Sequence, residues 1–317
     1  MEYPIYEVFD DTFDDFEDMG TKSKFWYTDP DTKEQYLFKS THTEDKRGTP
    51  VIRVGDDWAE KIACEIAECL GIPHAKYDLA NHNGEQGIRS ANFSTAGDTL
   101  VFGNTLLERV TSVLKLELEE GQRCQEVSRV YLVLDKVIQA PPRDWINTQN
   151  INSAPAVFIG YLMLDCLISN QDRHNENWAL IGDKVQLCLA PSFDHAASLG
   201  RNESDEKRQT KLTTRDRNQT VEHYVKKCKS HFYHQKRQLK TLEAFSFFSV
   251  LNPDAAIEWI ERLEELESET IKDIVESVPN FIMSDVSKKF CIAIIEANKT
   301  RILNEKESLL KAKQREQ

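Results

Sequence analysis

Up to residue 93 the chain reads as short alternating apolar runs, and beyond it apolar positions recur mostly at helical spacing. Lys24-Phe-Trp-Tyr27 and Gln35-Tyr-Leu-Phe-Lys39 flank the turn sequence Asp29-Pro30-Asp31, which predicts a β-hairpin entered through Gly20 to Lys24. Trp58, Ile62, Ala63, Ile66, Ala67 and Leu70 share one helical face; Asp56 or Asp57 is placed to cap that helix and Gly71 to stop it. Extended segments follow from Pro73, where Tyr77 and Leu79 alternate, and over Gly87 to Phe93. Residues 41–55 are polar and rich in turn formers, and read as a mobile connection. The acidic, aromatic residues 1–19 read as a solvated lead-in loop or helix, or a docking segment.

From Thr105 onward the pattern is mainly helical. Ala156 to Ile168 is an apolar helix, and helices are predicted over 241–250, 253–268, 270–277 and 284–314, the last ending in a charged tail. The polar stretch 200–220 reads as a flexible loop. The division expected is a β-rich lobe over 1–93, with its hinge near 89–93, and a helical lobe over 94–317. Hydrophobic residues make up 40% of the chain, enough for a packed core. A net charge of −13 disfavours direct nucleic-acid binding, which draws on a basic surface. The seven cysteines form no C-x-x-C pair and read as buried thiols of a reducing compartment, with no spacing for zinc. The N-terminal residues lack the pattern of an ordinary signal peptide, and no apolar run is long enough for a membrane span.

The chemistry concentrates in one polar island. Leu167 to Ile181 places Asn170, Asp172, His174, Asn175 and Asn177 between two apolar runs, and Pro191-Ser-Phe-Asp-His195 follows. Polar clusters between apolar segments are usually plain loops. Here Asp172 and Asn177 have the Asp-x-x-x-x-Asn spacing, Trp178 to Ile181 reads as a buried strand, and Val185 to Leu189 as a second strand that delivers Asp194. That order is how kinase-like folds arrange phosphoryl transfer: one Asp orients the attacking hydroxyl, and an Asn and a later Asp hold Mg²⁺ on the ATP phosphates. Lys39 ends a strand where a phosphate-binding cation belongs, and Glu60 is placed to pair with it. Gly20 to Lys24 offers backbone donors and two more cations. Each alone is more often ordinary: a solvated strand lysine, or a glutamate favouring the helix dipole.

Glu60 to Gly71 followed by Ile72-Pro73, the loop Asn170-x-Asp172-x-His174-x-x-Asn177, and Phe193-Asp194 together resemble the HipA-like kinases, and the resemblance spans roughly residues 15–300. Gly20-Thr-Lys-x-Lys-Phe-Trp26, Tyr36-Leu-Phe-Lys39 and Arg89-Ser-Ala-Asn-Phe93 look like the short, single-unit variety, which includes secreted cell-translocating kinases. The resemblance implies an α+β, bilobal protein-kinase-like fold and Ser/Thr kinase activity with ATP and Mg²⁺. It makes Asp172 the base or hydroxyl-orienting acid, His174 a brace of the catalytic loop 169–177, and Asn177 and Asp194 the Mg²⁺ ligands. Lys39, partnered by Glu60, would contact the phosphates, Gly20, Thr21, Lys22, Ser23 and Lys24 would form the phosphate loop, and Arg89, Ala91 and Phe93 would belong to the adenine-facing hinge. Thr21 and Ser23 become candidates for inhibitory autophosphorylation.

The chain departs from full-length HipA toxins in having no room for their extra N-terminal domain, which weakens the case for a HipB-type antitoxin partner. The phosphate loop lacks Gly-x-Gly-x-x-Gly. The expected location is the bacterial cytoplasm, with delivery into a host cell left open. Three functions remain: a protein Ser/Thr kinase of unknown substrate, a phosphoinositide or small-molecule kinase, and an inactive nucleotide-binding module. The mixed basic stretch 207–229 suits a membrane surface or an acidic or phosphorylated protein, and does not decide between them.

Overall fold

The computed structural model describes residues 1–10, 13–16, 22–44, 47–95, 97–115, 125–182 and 186–316. Its N-terminal part holds β1 (Ile5–Val8), β2 (Phe13–Phe16), β3 (Lys22–Thr28), β4 (Gln35–Glu44), β5 (Pro50–Ile52), α1 (Asp56–Cys69), β6 (Tyr77–His82) and β7 (Glu85–Ala91). The strands form one sheet in the order β1-β6-β7-β4-β3-β2, with β5 paired to β4. Alternation sorts its two faces. Phe25, Tyr27, Tyr36 and Phe38 pack with Val8 and Ala80 on one face, and Tyr77 and Ile88 meet Cys64 of α1 on the other. The expected hairpin is β3–β4; its turn is an Asx turn in which Asp29 Oδ1 accepts from the N–H groups of Asp31 and Thr32.

Three local expectations are corrected here. The N-terminal segment contributes two strands: β1 pairs parallel with β6, and β2 antiparallel with β3. Its charge suggested solvation, but cross-strand partners decide. Asn81 donates twice to the Glu7 carboxylate, Phe13 packs 5.5 Å from Phe25, and the Arg89 guanidinium stacks 3.3 Å from the Tyr6 ring. Residues 41–55 are likewise not a free connection, because β4 runs on to Glu44 and β5 pairs back onto it, His42 opposite Ile52. At α1 the N-cap is Gly55 at φ 90°, with no side-chain cap; Asp56 instead lies 2.6 Å from Arg201.

The helical part holds β8 (Thr99–Phe102), α2 (Gly103–Val113), α3 (Val127–Lys136), α4 (Ala154–Leu167), β9 (Ala179–Gly182), β10 (Leu187–Leu189), α5 (Asp205–Thr213), α6 (Val221–Lys227), β11 (Lys229–His234), β12 (Arg237–Lys240), α7 (Thr241–Leu251), α8 (Pro253–Glu265), α9 (Ser268–Glu276) and α10 (Asp285–Glu316). Val185, the predicted start of β10, lies outside the described residues. Every residue of α4 is buried, as a helix apolar all round apart from the ion-paired Asp165 requires, and α3, α7, α8 and α10 pack around it. Its C-terminal carbonyls are satisfied from α10: the buried Asn298 amide donates to Leu167 O at 3.1 Å and to Ser169 Oγ at 2.8 Å. The root of the island is thereby fixed to the longest helix.

Two elements depart from the sequence reading. Residues 205–213 are helical, because Ser204 caps the helix by accepting from Lys207 N–H, Asp205 and Glu206 suit its first turn, and Arg208 is buried against Asp205 and Ser287. The hairpin β11–β12 was not foreseen. Five of the six described cysteines are buried and Cys69 is exposed; Cys124 lies outside the described residues. Among the described residues no helix is long and apolar enough to cross a membrane.

Candidate active site

Past Ser169, at φ 54°, the chain turns off α4 into the loop 170–177. A buried ion pair shapes this loop. Asp165, on the last turn of α4, receives Arg173 Nε and Nη2, and its Oδ1 also accepts from Asn170 Nδ2 at 2.8 Å. Arg173 Nη1 donates to the carbonyl of Asn177 at 3.0 Å, and Nη2 to Ser192 Oγ at 2.9 Å. One guanidinium thus holds the start of the loop, its end and the segment carrying Asp194, which is the use to which a planar five-donor group is suited.

Asp172 and Asn177 meet across the loop: Asn177 Nδ2 donates to Asp172 O at 2.6 Å. The Asp172 carboxyl is pushed above the usual carboxylate range, first by burial. Asp194 also pushes it up, while His174, His231 and Arg201 pull it down. A raised value suits a group that accepts a proton from an attacking hydroxyl. His174 lies within the same loop. Its Nδ1 accepts from Glu176 N–H at 3.1 Å, so the neutral ring keeps its proton on Nε2, which lies 4.0 Å from Asp172 Oδ1.

His231, on β11, was not foreseen. Its Nε2 stands 3.5 Å from Asp172 Oδ1, and its ring meets His174 edge-on at 5.7 Å. Burial pushes the His231 pKa down against the pull of Asp172. The signal was faint: Phe232 and Leu239 are the only fully buried residues of the hairpin, too few to mark strands within a basic run.

Asp194 sits at φ 57°, a left-handed conformation an Asp tolerates better than most residues. The segment around it is stitched to the β-rich part. Ser192 N–H donates to Pro73 O at 2.9 Å, and Ala75 N–H to Ser192 O at 2.8 Å. Asp194 N–H donates to the Tyr77 hydroxyl at 3.1 Å, and His195 N–H to Glu60 Oε2 at 2.8 Å. His195 is fully buried, its Nε2 2.7 Å from Ser192 Oγ and its Nδ1 3.5 Å from Glu60. Arg173 donates to Ser192 and Ser192 to His195 Nε2, which leaves the His195 proton on Nδ1, near Glu60 but without a hydrogen bond among the described residues. The sequence singled out Asp172, Asn177 and Asp194, but not Asp165, Arg173, Ser192 and His195, which hold them.

Lys39 and Lys24 occupy directly opposite positions of the β3–β4 register. Like charges across a strand pair are destabilising, and an anion bound between them would relieve the repulsion. Lys39 Nζ lies 5.9 Å from the centre of the Tyr77 ring. The expected Lys39–Glu60 pair is not formed. Glu60 lies beyond the first turn of α1 with its carboxylate on His195, and its Oε1 is buried with no hydrogen-bond partner among the described residues. That orphaned acceptor is where a cation would be held.

Arg89 is a second correction. It is paired with Phe38 and Asp78 within β7, and its side chain is buried on the face away from Lys39, against Tyr6 and Tyr36, with Asp29 at 2.7 Å. It is a sheet cation, not a hinge group. Ala91 N–H donates to Lys76 O at 3.2 Å, and Phe93 stacks on Phe193 at 6.1 Å, next to Asp194. Of the phosphate-loop residues, Gly20 and Thr21 lie outside the described residues; Lys22 and Ser23 open β3.

The donor set fits Mg²⁺. Asp172 and Asp194 are close enough for one charge to raise the other's pKa, a repulsion a divalent cation removes, and their hard oxygens with the Asn177 amide are its preferred ligands.

A family described as HipA-like C-terminal domain matches residues 18–270. The serine/threonine-protein kinase CtkA of Helicobacter pylori strain J99 is 20% identical over 260 residues, which span 78% of this chain and 71% of that protein. The crystal structure of the H. pylori proinflammatory kinase CtkA superposes with a TM-score of 0.72 at 18% identity, covering 96% of this chain and 98% of that one. A chain of the Shewanella oneidensis MR-1 HipA–HipB complex with operator DNA gives 0.56 at 10% identity, covering 93% and 67%. At such identities the structures speak for the fold, an α+β kinase-like arrangement of a small β-rich lobe and a mainly helical one. With its catalytic-loop and acidic motifs inside the matched span, the chain belongs to the HipA-like C-terminal domain family and is distantly homologous to a serine/threonine kinase.

Proposed function

We propose that the protein is an ATP- and Mg²⁺-dependent protein serine/threonine kinase. The observation that carries this reading is the convergence of Asp172, Asn177 and Asp194 on one loop system, braced by the row Asp165–Arg173–Ser192–His195–Glu60. Asn177 and Asp194 would hold the metal, which supplies charge neutralisation on the phosphates. Asp172 would orient the acceptor hydroxyl and take its proton. Lys39, opposite Lys24, would meet the phosphates, with Glu60 Oε1 available to steady that cation. Phe93 and Phe193 offer an aromatic surface beside the metal-binding segment for the adenine. Distant homology to a serine/threonine kinase favours a protein hydroxyl as acceptor. Autophosphorylation at Thr21 or Ser23 belongs to the same reading.

The test is transfer from γ-labelled ATP with Mg²⁺ into a cell lysate and, in parallel, into lipid vesicles. Wild-type label in protein is expected. Asp172→Ala and Asp194→Ala should each lower transfer at least about 10²-fold, since positioning and charge stabilisation supply nearly all of this catalysis. Near-normal transfer by either folded variant would overturn the assignment, and label confined to lipid would redirect it to a lipid kinase.

A further inference from the structure

Beside the catalytic loop lies a cavity of about 410 Å³ that the phosphoryl-transfer groups leave unused. Gln171, the residue before Asp172, forms one wall. Lys207 and Lys211 of α5 form a second, and His223, Tyr224 and Lys227 of α6 a third. Its place in the site is fixed by β11, whose first N–H, from Lys229, is donated to Gln171 Oε1 at 3.2 Å, and whose His231 stands 3.5 Å from Asp172.

The cavity's charge is the reverse of the protein's. The whole chain carries −13, yet the lining holds three lysines and, among the described residues, no carboxylate. Lys211 is paired with Glu203 at 2.9 Å, outside the lining. Lys207 and Lys227 form no ion pair among the described residues, although carboxylates are abundant in this chain. His223 Nε2 is buried with no hydrogen-bond partner among the described residues. Two unpaired ammonium groups around one small space, with the ring of His223 in its wall, are what an anionic group needs. The volume suits a side chain or two, not a folded partner.

We propose that this cavity is an acceptor-side subsite that seats an anionic side chain, a carboxylate or a phosphate monoester, of the polypeptide whose hydroxyl is presented to Asp172. The proposal rests on the kinase reading above and deepens it: the preferred substrates are acidic or already phosphorylated close to the target Ser or Thr. The unexpected order of 205–213 then has a use, since α5 presents Lys207 and Lys211 on a rigid frame.

The experiment compares Ser/Thr-centred peptide libraries with glutamate, phosphoserine or alanine at each flanking position, phosphorylated by wild type and by the Lys207→Gln/Lys227→Gln double variant. Wild type should prefer an anion at one flanking position by about tenfold in kcat/KM, the scale expected of two exposed ion pairs together. The double variant should lose that preference while keeping the KM for ATP. The arm that is enriched tells an acidic motif from a phosphorylated one. Equal use of all three libraries by wild type, or a preference that survives in the double variant, would overturn the subsite. Fluorescence anisotropy with labelled glutamate-containing and phosphoserine-containing peptides reads the same site without turnover. Lysine-dependent, salt-sensitive binding by a protein that phosphorylates nothing would uphold the subsite and sink the kinase reading, whereas no such binding would sink the subsite alone.

Discussion

Replacing Arg173 with Met should be among the most damaging single changes in the molecule. The guanidinium is 2% exposed and makes four hydrogen bonds, two to Asp165 and one each to Asn177 O and Ser192 Oγ. Met fills much of the same volume, so the cost is electrostatic rather than steric. Asp165, itself buried, would keep only the Asn170 amide as a side-chain partner. Removing one member of a buried pair typically costs ~3–5 kcal/mol, because the charge left behind is neither solvated nor matched. Against a usual total of ~5–15 kcal/mol that is about a fifth of the stability at least. Urea unfolding followed by circular dichroism measures it. The double variant Asp165→Leu/Arg173→Met removes both charges and should recover more than half of the loss. Phosphoryl transfer should not recover with it, since Asn177 and Ser192 still lack their donor. A loss below ~1 kcal/mol for Arg173→Met, or full activity in the double variant, would refute the view that this pair holds the loop.

Lys39→Ala should raise the KM for ATP or lower turnover with little loss of stability, because half-exposed charges contribute little; a variant that unfolds, or that handles ATP like wild type, refutes it. Gly103→Ala should destabilise by ~1–3 kcal/mol and lower transfer, since the added carbon would lie 2.3 Å from the Trp178 ring, next to Asn177; a thermal melt and an activity assay read both. His74, buried with Nδ1 bonded to Ile72 O, has its pKa pushed down by burial from 6.5 to about 4. The folded state keeps it neutral while the unfolded chain takes up a proton, so its contribution is complete above 6.5 and is lost as pH falls towards 4, by ~3 kcal/mol. Unfolding titrations of His74→Phe should show that acid limb flattened. After incubation with Mg-ATP, peptide mapping should find phosphate on Thr21 or Ser23; an unmodified peptide in active enzyme would dismiss that switch and leave the kinase reading intact.

The sequence exposed the candidate chemical groups more readily than the residues that hold them. Asp172, Asn177 and Asp194 stand out because polar residues between apolar runs are costly unless used. Asp165 and Arg173 are equally buried, yet Asp165 sits in an apolar helix and Arg173 in a polar loop, and only their three-dimensional pairing makes sense of either. Glu60 was found but its partner was not: a helix glutamate before a catalytic loop suggests a lysine, and nothing local announces a backbone N–H from residue 195. Arg89 was misplaced because a one-residue alternation decides the face of a strand, and the run Ile88-Arg-Ser-Ala91 does not say which face is the cleft. The helices between 241 and 316 were legible because apolar positions recur at helical spacing along them. The strands β1, β2 and β11 were not: β1 owes its order to β6, far along the chain, while β2 and β11 pair with nearby β3 and β12 but carry few apolar positions of their own.

The hydrogen bond from His195 N–H to Glu60 has a mechanical meaning. In a two-lobed enzyme the helix of the small lobe is a natural lever: swinging it outward disengages its glutamate and silences the site. Here the glutamate is fastened to the segment that carries Asp194, which is itself stitched to Pro73, Ala75 and Tyr77. An outward swing of α1 would pull on that segment and break a bond inside the core. The helix α1 and the segment carrying Asp194 are therefore coupled. On the proposed function, opening over a nucleotide would fall to the outer edge of the sheet at β2 and β3, which lies beyond β4, whereas Lys39 of β4 stays close to the Tyr77 ring within the anchored part.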